Sequence, residues 1–600
     1  MFFSATRKGV AWEEIVDKFI RNDKSITYWP GAFWRLDLDG SNRETEVLVV
    51  GFGPVGATIA NLLGRYGVRT LAIDAVTEIF PQPRAIALDN EALRILQAAG
   101  LPEGAFETIA IPEVRYRSPY VGQLARLETG GCLDGHPKLV TFYQPELESE
   151  LRSRVREHPS VTVELGVELV DFVEEANGVR ARLRHRDGAE HKVLAKYLIG
   201  ADGAKSQVRK ALGVGFDGRS YAEDWLIVDA KLDSSSLDHI EFLCDPRRPA
   251  PHMPAPGGRE RWEFMLHPGE SAEEMERPEK VRELLSPWGS PDDMDVERTA
   301  VYRFHARTVE RFQKGRAFLA GDAAHITPPF AGQGLVAGLR DAMNLCWKLT
   351  WVLRGRAAPG ILGSYDQERR PHAKAMIALA RLLGRIIMPT SRAQALATGV
   401  LMRGLRLIPP ARSYLEELKI KPQNEFDRGL FVERPRRRLL RRPAQPKTQL
   451  TRGAMFPQAW IQRGSDGCWS DDALGDGLAL VGFGLDPEEH LGHAAAAFRA
   501  AGGTSIQLCH RGQRIHRGDA DNVWEDMSGA FIPGIAPVGW AAVVRPDRTI
   551  LHDGPVSEAA RLVRETLALL RAGYAHPDRS KEVGARATAS QASAAPEAHR

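Results

Sequence analysis

Apolar runs that end abruptly at glycine or aspartate recur along this chain, and the segments between them carry helical spacing. Val47-Leu48-Val49-Val50 is uninterrupted in the way a strand covered on both faces requires, and it stops at Gly51. A helix is predicted over Ala57 to Tyr66, followed by a second buried strand, Val68 to Ile73, that delivers Asp74. Further on, Val179 to Leu183 and Val193-Leu194 flank an Asp187-Gly188 turn and read as a hairpin. Tyr197-Leu198-Ile199 then runs into Gly200-Ala201-Asp202-Gly203, and Ala317-Phe318-Leu319-Ala320 into Gly321-Asp322-Ala323-Ala324-His325. From about Leu335 a long helix is predicted, with Leu339, Met343, Leu345, Trp347, Leu349 and Trp351 on a broad buried face. Strands and helices in this order define an α/β chain with a Rossmann-like sheet.

Three of those strand ends carry candidate chemistry. In Gly51-Phe52-Gly53-Pro54-Val55-Gly56, Gly51 permits the tight turn, Gly53 lets the backbone approach a pyrophosphate, and Gly56 lets the helix pack on the strand. The free N–H groups and positive dipole end of that helix then face the phosphates. Asp74 stands where an acid that grips a ribose hydroxyl belongs, and an acid there disfavours a 2'-phosphate. Alone, this fingerprint serves NAD, FAD or an ordinary strand-turn-helix; the other two motifs point to FAD. In the second, Asp202 ends a strand and is followed by Ser206 and Arg209, so a plain N-cap at Ser206 with Asp202 as a turn residue is the competing reading. In the third, Asp322 stands at the carboxyl end of a strand, the side where open α/β sheets bind ligands, and can accept hydrogen bonds from sugar or ribityl hydroxyls. Pro328-Pro329 stiffens the next loop, and Gly332-Gln333-Gly334 gives a backbone able to approach a ring system closely. The N-terminus of the long helix would stabilise a flavin ring that becomes anionic on reduction.

With Pro83-Arg84-Ala85 and Phe142-Tyr143-Gln144-Pro145 between them, the three motifs resemble those of the single-component FAD-dependent aromatic hydroxylases of the para-hydroxybenzoate hydroxylase fold. The stretches Pro83 to Arg94 and Ala320 to Trp347 most resemble the 3-(3-hydroxyphenyl)propionate hydroxylase group. The resemblance covers about residues 46 to 400 and, more loosely, the C-terminal part. It implies that Arg84 and Gln144 contact the flavin, that Asp202 lies near the pyrophosphate and that Asp322 binds the ribityl chain. Without the motifs around them, Arg84 reads as a surface ion pair and Gln144 as a helix-start cap. The resemblance also implies a two-stage reaction, in which NADH or NADPH reduces FAD and dioxygen then gives a flavin C4a-hydroperoxide that is attacked by an electron-rich phenol. A base or relay to the phenol hydroxyl is expected, and the sequence does not identify it.

Substrate contacts are expected between the second and third motifs, at about residues 215 to 310. Trp262 to His267 reads as a largely apolar strand and Tyr302 to His305 as another, with Trp262 and Phe264 as pocket candidates against an ordinary sheet-packing reading. His267, His305 and His325 read as loop, sheet or cofactor-loop residues rather than catalytic bases. The expected substrate is 3-(3-hydroxyphenyl)propionate or a similar phenol, hydroxylated ortho to an existing hydroxyl in aromatic hydrocarbon catabolism. The alternatives are a larger polycyclic phenol or a non-catalytic flavin-bound interaction protein. A halogenase on the same fold would usually carry a Trp-x-Trp-x-Ile-Pro segment, which this sequence lacks.

Six hundred residues exceed what one core supports. The expected division is an N-terminal extension (1–45) that departs from the family pattern, an FAD-binding domain with an inserted mixed-sheet substrate domain (46–430), a linker (431–450), a thioredoxin-like domain (451–575) and a disordered tail (576–600). In the C-terminal part, Gly477 to Phe483 and Val538 to Asp547 read as strands and Glu558 to Arg571 as a helix. It has no Cys-x-x-Cys, so packing or dimerisation is expected there rather than dithiol chemistry. The net charge of +3 comes from dispersed Lys and Arg, which gives no case for nucleic acid. The densest basic run, Arg434 to Pro443, reads as a solvated linker. Five scattered cysteines fit neither a disulfide framework nor a metal site. With no membrane-length apolar run and no signal-peptide core, a cytoplasmic enzyme is expected, with an aromatic substrate, dioxygen and a possible second copy of itself as partners.

Overall fold

A computed structural model describes residues 43–232, 237–416, 420–433, 448–513 and 522–573. Residues 1–42 of the N-terminal extension, the basic run Arg434 to Pro443 and the tail lie outside the described residues. Strand Arg43–Val50 forms where the apolar run predicts it, paired in parallel with Thr70–Asp74 on one side and Glu190–Gly200 on the other. Its residues Val47, Leu48 and Val49 are fully buried, which explains why no position alternates to polar. Across the sheet the order is Val161–Leu165, Thr70–Asp74, Arg43–Val50, Glu190–Gly200, Gly178–His185, Val167–Glu175, and Ala317–Leu319 pairs with Glu190–Gly200 as well. The hairpin return and the strand before Gly200, read separately in the sequence, are one continuous strand, Glu190–Gly200. Helix Pro54–Arg65 starts before Ala57 because a proline suits the first turn, where its missing N–H is no loss.

The inserted sheet runs His325–Ile326, Met294–Val309, Phe216–Leu232, Arg259–Met265, Ala250–Ala255, Ile240–Leu243, Glu113–Ser118, Gly122–Glu128. It therefore borrows two strands from before the second motif, beyond the predicted 215 to 310. Both faces are covered. Leu226, Val228, Trp262 and Phe264 pack on Met275, Val281 and Leu285 of the helices Ala272–Met275 and Pro278–Leu285. Trp225 and Ile227 point the other way, toward Phe330 and Ile387.

Helix Gly334–Leu353 was predicted to have a broad buried face, but it is buried all round from Val336 to Trp351, including Arg340, Asp341, Asn344 and Lys348. It runs between layers, so each polar side chain has to find a partner inside the protein. Lys348 Nζ lies 2.7 Å from Glu368, and Glu368 in turn receives both terminal nitrogens of Arg545, at 2.8 and 2.9 Å. Arg545 also pairs with Asp547. Burial alone would raise the Glu368 carboxyl, but Arg545 and Lys348 outweigh it and hold the group well below the usual carboxylate range.

Arg545 and Asp547 belong to the C-terminal domain, whose central strands Gly503–His510, Leu478–Phe483, Trp540–Val544 and Ile550–Pro555 lie in that order. The first pair is parallel and the next two antiparallel. With helix Ala559–Ala572 following, this is the β-α-β, β-β-α arrangement of a thioredoxin-like fold. Trp347 and Trp351 of the long helix enter its core. No helix among the described residues is long and apolar enough to cross a membrane.

Removing Arg545 would leave Glu368 and Asp547 buried without their shared cation. Arg545→Ala is expected to destabilise the chain by about 3–5 kcal/mol, read as a lowered urea midpoint. An unchanged midpoint would mean that the network does not hold the two domains together.

Candidate cofactor and substrate site

The parallel register brings the three motifs to one sheet edge. Val50 pairs with Gly200, and Gly200 with Leu319. The chains stay tied one residue further on, with Ala201 N donating to Val50 O at 2.8 Å and Ala320 N to Gly200 O at 2.9 Å. The carboxyl end of such a sheet is where ligands bind, and here three glycine-bearing turns open on it together.

Each glycine of the first turn has a separate reason. Gly51 has φ +97°, and a Cβ there would lie 2.4 Å from Ala201 O. A Cβ on Gly56 would lie 1.9 Å from Gly51 O, so no other residue allows the helix this close to the strand. Gly53 differs: its Cβ would meet no protein atom within 4 Å, and would project in front of a helix whose N-terminus has no side-chain cap and no acid in its first turn. That opening suits a pyrophosphate held by backbone N–H groups.

Two acids flank it. Asp74 accepts from Phe52 N at 2.7 Å and Val76 N at 2.8 Å, which fixes its carboxylate beside the turn. Asp202 Oδ2 accepts from Gln207 N at 2.6 Å and Val208 N at 3.1 Å, and Ser206 caps the same helix through Arg209 N at 2.9 Å. The N-cap reading of Ser206 thus holds, yet it leaves something over. Asp202 Oδ1 is buried without a partner among the described residues, an acceptor suited to a hydroxyl donor.

The third motif is held by a residue the motif reading missed. Asp341, fully buried in the long helix, accepts from Gly321 N at 3.0 Å, pairs with His325 Nε2 at 2.7 Å and receives Arg369 Nε at 2.9 Å. Burial works against its charge, but His325 and Arg369 keep the carboxyl below its usual range. His325 is accordingly a structural partner, stacked on Phe312. Asp322 makes no such bonds among the described residues, and burial raises its carboxyl against the pull of His325 and Arg84. The Gln333 side chain is committed within the protein, donating to Asp89 at 3.1 Å and accepting from Arg340 at 2.8 Å. Of Gly332-Gln333-Gly334, then, the backbone is what is left to meet a ligand, with Gly332 at φ +62° and the helix N-terminus without a side-chain cap behind it. Pro328, at the head of this loop, is buried.

Gln144 reaches the Arg84 loop instead of capping a helix, and its Oε1 accepts from Arg84 N at 2.9 Å and Ala85 N at 2.8 Å. The loop is gripped from the substrate sheet too. Arg261 donates to the carbonyls of Pro83 and Arg84 at 2.9 and 3.1 Å, and Arg298 also donates to Pro83 O. Asp229 pairs with both arginines. Asp89, Arg340, Asp341, Arg261 and Arg298 were all passed over in the sequence. The first three fall inside the stretches that carry the resemblance, and that was the available signal.

Trp262 and Phe264 lie on the wrong face for a pocket beside these motifs. Trp262 stacks on His252 with centroids 4.6 Å apart, and Phe264 meets Trp288 edge-on at 5.6 Å, both under the helices over residues 272–285. The sheet face toward the cofactor loop carries Trp225, Tyr302, Phe304 and Met265 instead, with Phe330 of the third-motif loop packed 5.7 Å from Trp225.

A dinucleotide cradle built from three strand ends, beside an aromatic sheet face, defines a flavin-dependent oxygenase. A sequence profile described as an FAD binding domain matches residues 44–380, and one described as an HcaD C-terminal domain matches 453–569. The chain is 33% identical over 575 residues to a 3-(3-hydroxy-phenyl)propionate/3-hydroxycinnamic acid hydroxylase of Comamonas testosteroni, covering 88% of this chain and 98% of that one. A Mycolicibacterium smegmatis protein of the same description is 36% identical over 84% of this chain and 90% of its own. Among solved structures, the flavin-dependent monooxygenase PieE matches with TM-score 0.71 at 22% identity, over 88% of this chain and 99% of that one. The chain belongs to the FAD-dependent aromatic hydroxylases.

Because the Gly53 Cβ position is open and its φ of −70° suits any residue, Gly53→Val is expected to keep the melting temperature of the apoprotein. It should weaken FAD binding about tenfold or more, roughly 1.4 kcal/mol, measured by flavin retention on dialysis. Gly56→Ala should lower both. Wild-type FAD affinity in Gly53→Val would remove Gly53 from the cradle.

Proposed function

We propose that this chain adds one oxygen atom to a phenol ring, ortho to an existing hydroxyl, with NADH or NADPH as electron donor and dioxygen as oxygen source. The substrate we assign is 3-(3-hydroxyphenyl)propionate or a close analogue, carried over from the relatives' descriptions. The observation that carries the reading is the meeting of three strand ends next to a sheet face lined by Trp225, Tyr302 and Phe304. Bound FAD supplies the redox chemistry, accepting electrons from the nicotinamide and delivering one oxygen of dioxygen.

The protein's own part is binding, orientation and exclusion of water. Gly51, Gly53, Pro54 and Gly56 open the first helix N-terminus to the pyrophosphate, and Asp74 takes a ribose hydroxyl. Asp202, with its unpaired Oδ1, accepts a second hydroxyl, and Asp322 accepts from the ribityl chain. Gly321 sets the turn that carries Asp322. Arg84, on the loop clamped by Gln144, and the backbone of Pro328, Gly332, Gln333 and Gly334 would hold the flavin ring. The uncapped N-terminus of the long helix favours negative charge on the reduced ring. Phe304, Tyr302 and Met265, backed by the buried Trp225 and Phe330 in offset and edge-on contacts, then present an apolar wall to the substrate ring.

The test is oxidation of NADH and NADPH by the purified flavoprotein across a panel of phenols, with product mass. 3-(3-Hydroxyphenyl)propionate or a close analogue should accelerate oxidation several-fold and gain one oxygen. A product formed only from polycyclic phenols would move the substrate class, and a flavin-bound protein that no phenol accelerates would overturn the reading.

A further inference from the structure

On the sheet face that meets the cofactor loop, Glu263 has no hydrogen-bond or ion-pair partner among the described residues. Glu263 stands opposite Ile227, between the Trp225/Met265 and Asp229/Arg261 pairs, and alternation puts all of them on one face. The other charges there are committed. Arg261 donates to Asp229 and to two loop carbonyls, and Arg298 donates to Asp229, to Pro83 O and to the Tyr302 hydroxyl at 2.8 Å. Arg298 Nε is left over and makes no bond to Glu263. Arg261, Asp229 and Arg298 are the charged groups that act on Glu263 on this face, and Tyr302 acts on Arg261.

Glu263 itself is 7% exposed and makes no hydrogen bond to a described residue. Burial pushes its carboxyl up to about 7, with Asp229 adding to the effect and Arg261 and Arg298 opposing it. A buried carboxyl without a donor is costly, and packing alone would be served better by an apolar side chain. The Glu263 oxygens are not sealed off, so a donor from outside the protein can reach them, and a neutral O–H suits the site, whereas a ligand carboxylate would be repelled.

We propose that Glu263 accepts the hydroxyl hydrogen of the phenolic substrate and takes its proton as the ring attacks the oxygen it will receive. The assignment rests on the hydroxylase reading above. The phenol O–H bond breaks, an O–H bond forms on a Glu263 oxygen, and the electron pair stays on the phenolate, which enriches the ortho and para carbons. After oxygen transfer, the ring carbon that received the oxygen sheds its hydrogen as a proton, which goes to the second oxygen of dioxygen on its way to water, and the proton on Glu263 returns to the original phenol oxygen. No electron is exchanged with the protein.

The experiment uses the FAD-loaded full chain. Glu263→Gln keeps the shape and removes a buried charge, so FAD content and melting temperature should be retained. Its kcat/KM for the phenol is expected to fall about 100-fold, within the range of general-base contributions. In the wild type kcat/KM should decline as pH falls through about 7, because the protonated acid no longer accepts. That limb should vanish in Glu263→Gln and return in Glu263→Asp. Fluorinated phenols, whose hydroxyls are more acidic, should recover rate in Glu263→Gln, and phenol affinity read by flavin fluorescence should lose its pH dependence. A Glu263→Gln enzyme with wild-type kcat/KM and the same acid limb overturns the proposal. So does a loss that is equal for all phenols whatever their acidity, the mark of a purely structural role. The wild type is measured first: if it oxidises no phenol, the hydroxylase reading falls and this assignment with it.

Discussion

The whole arrangement depends on the register of three parallel strands. Val50, Gly200 and Leu319 lie side by side, and a two-residue slip of any one of them would carry its turn away from the other two. Backbone pairing thus does what no single side chain does, aligning segments from three distant parts of the chain to within one peptide unit. The glycines then convert that alignment into space, by letting strand, turn and helix approach to distances that a Cβ would forbid.

The long helix Gly334–Leu353 turns this edge into a rigid body. Its polar residues look misplaced in a buried helix until each is followed to its partner. Asp341 holds Gly321 and His325 of the third motif. Arg340 reaches Asp89 and Glu91, and Lys421 joins the same carboxylate of Asp89 at 2.7 Å. Asn344 and Lys348 reach Glu368 and, through it, Arg545 of the C-terminal domain. One helix is bonded to the cofactor turn, to the segment after Arg84 and to the thioredoxin-like domain. Arg94 adds a second tie to that domain, with its Nε 2.7 Å from buried Asp471.

The sequence made the cofactor half of the site legible because its signals are local. A buried strand, a glycine turn and a helix start each fit within a few residues, and Gly51 to Gly56 needs no distant partner to be recognised. The substrate half depends on which face of a strand points where, and period-two alternation does not say. Strand Arg259–Met265 offers aromatics at Trp262 and Phe264 and charges at Arg261 and Glu263. The usual rule sends the charges to solvent, but both faces of this sheet are covered, and the charges face the cofactor loop. The partners of the long helix were hidden for a related reason, since ion pairs between residues as far apart as Glu368 and Arg545 leave no trace in local spacing.

Arg261 and Arg298 hold the Pro83 and Arg84 carbonyls directly, so the floor of the aromatic face and the flavin loop are parts of one hydrogen-bonded unit. This divides the sheet face by evolvability. A change at Arg261, Asp229 or Arg298 disturbs the loop and the sheet together, and so is penalised whichever aromatic substrate is being selected for. Trp225, Phe304 and Met265 touch that unit only through packing, where volume can be exchanged between neighbours at small cost. Drift in ring size or substituent among descendants of this protein would therefore be recorded at the aromatic wall, with the arginine-held floor left as the inherited part.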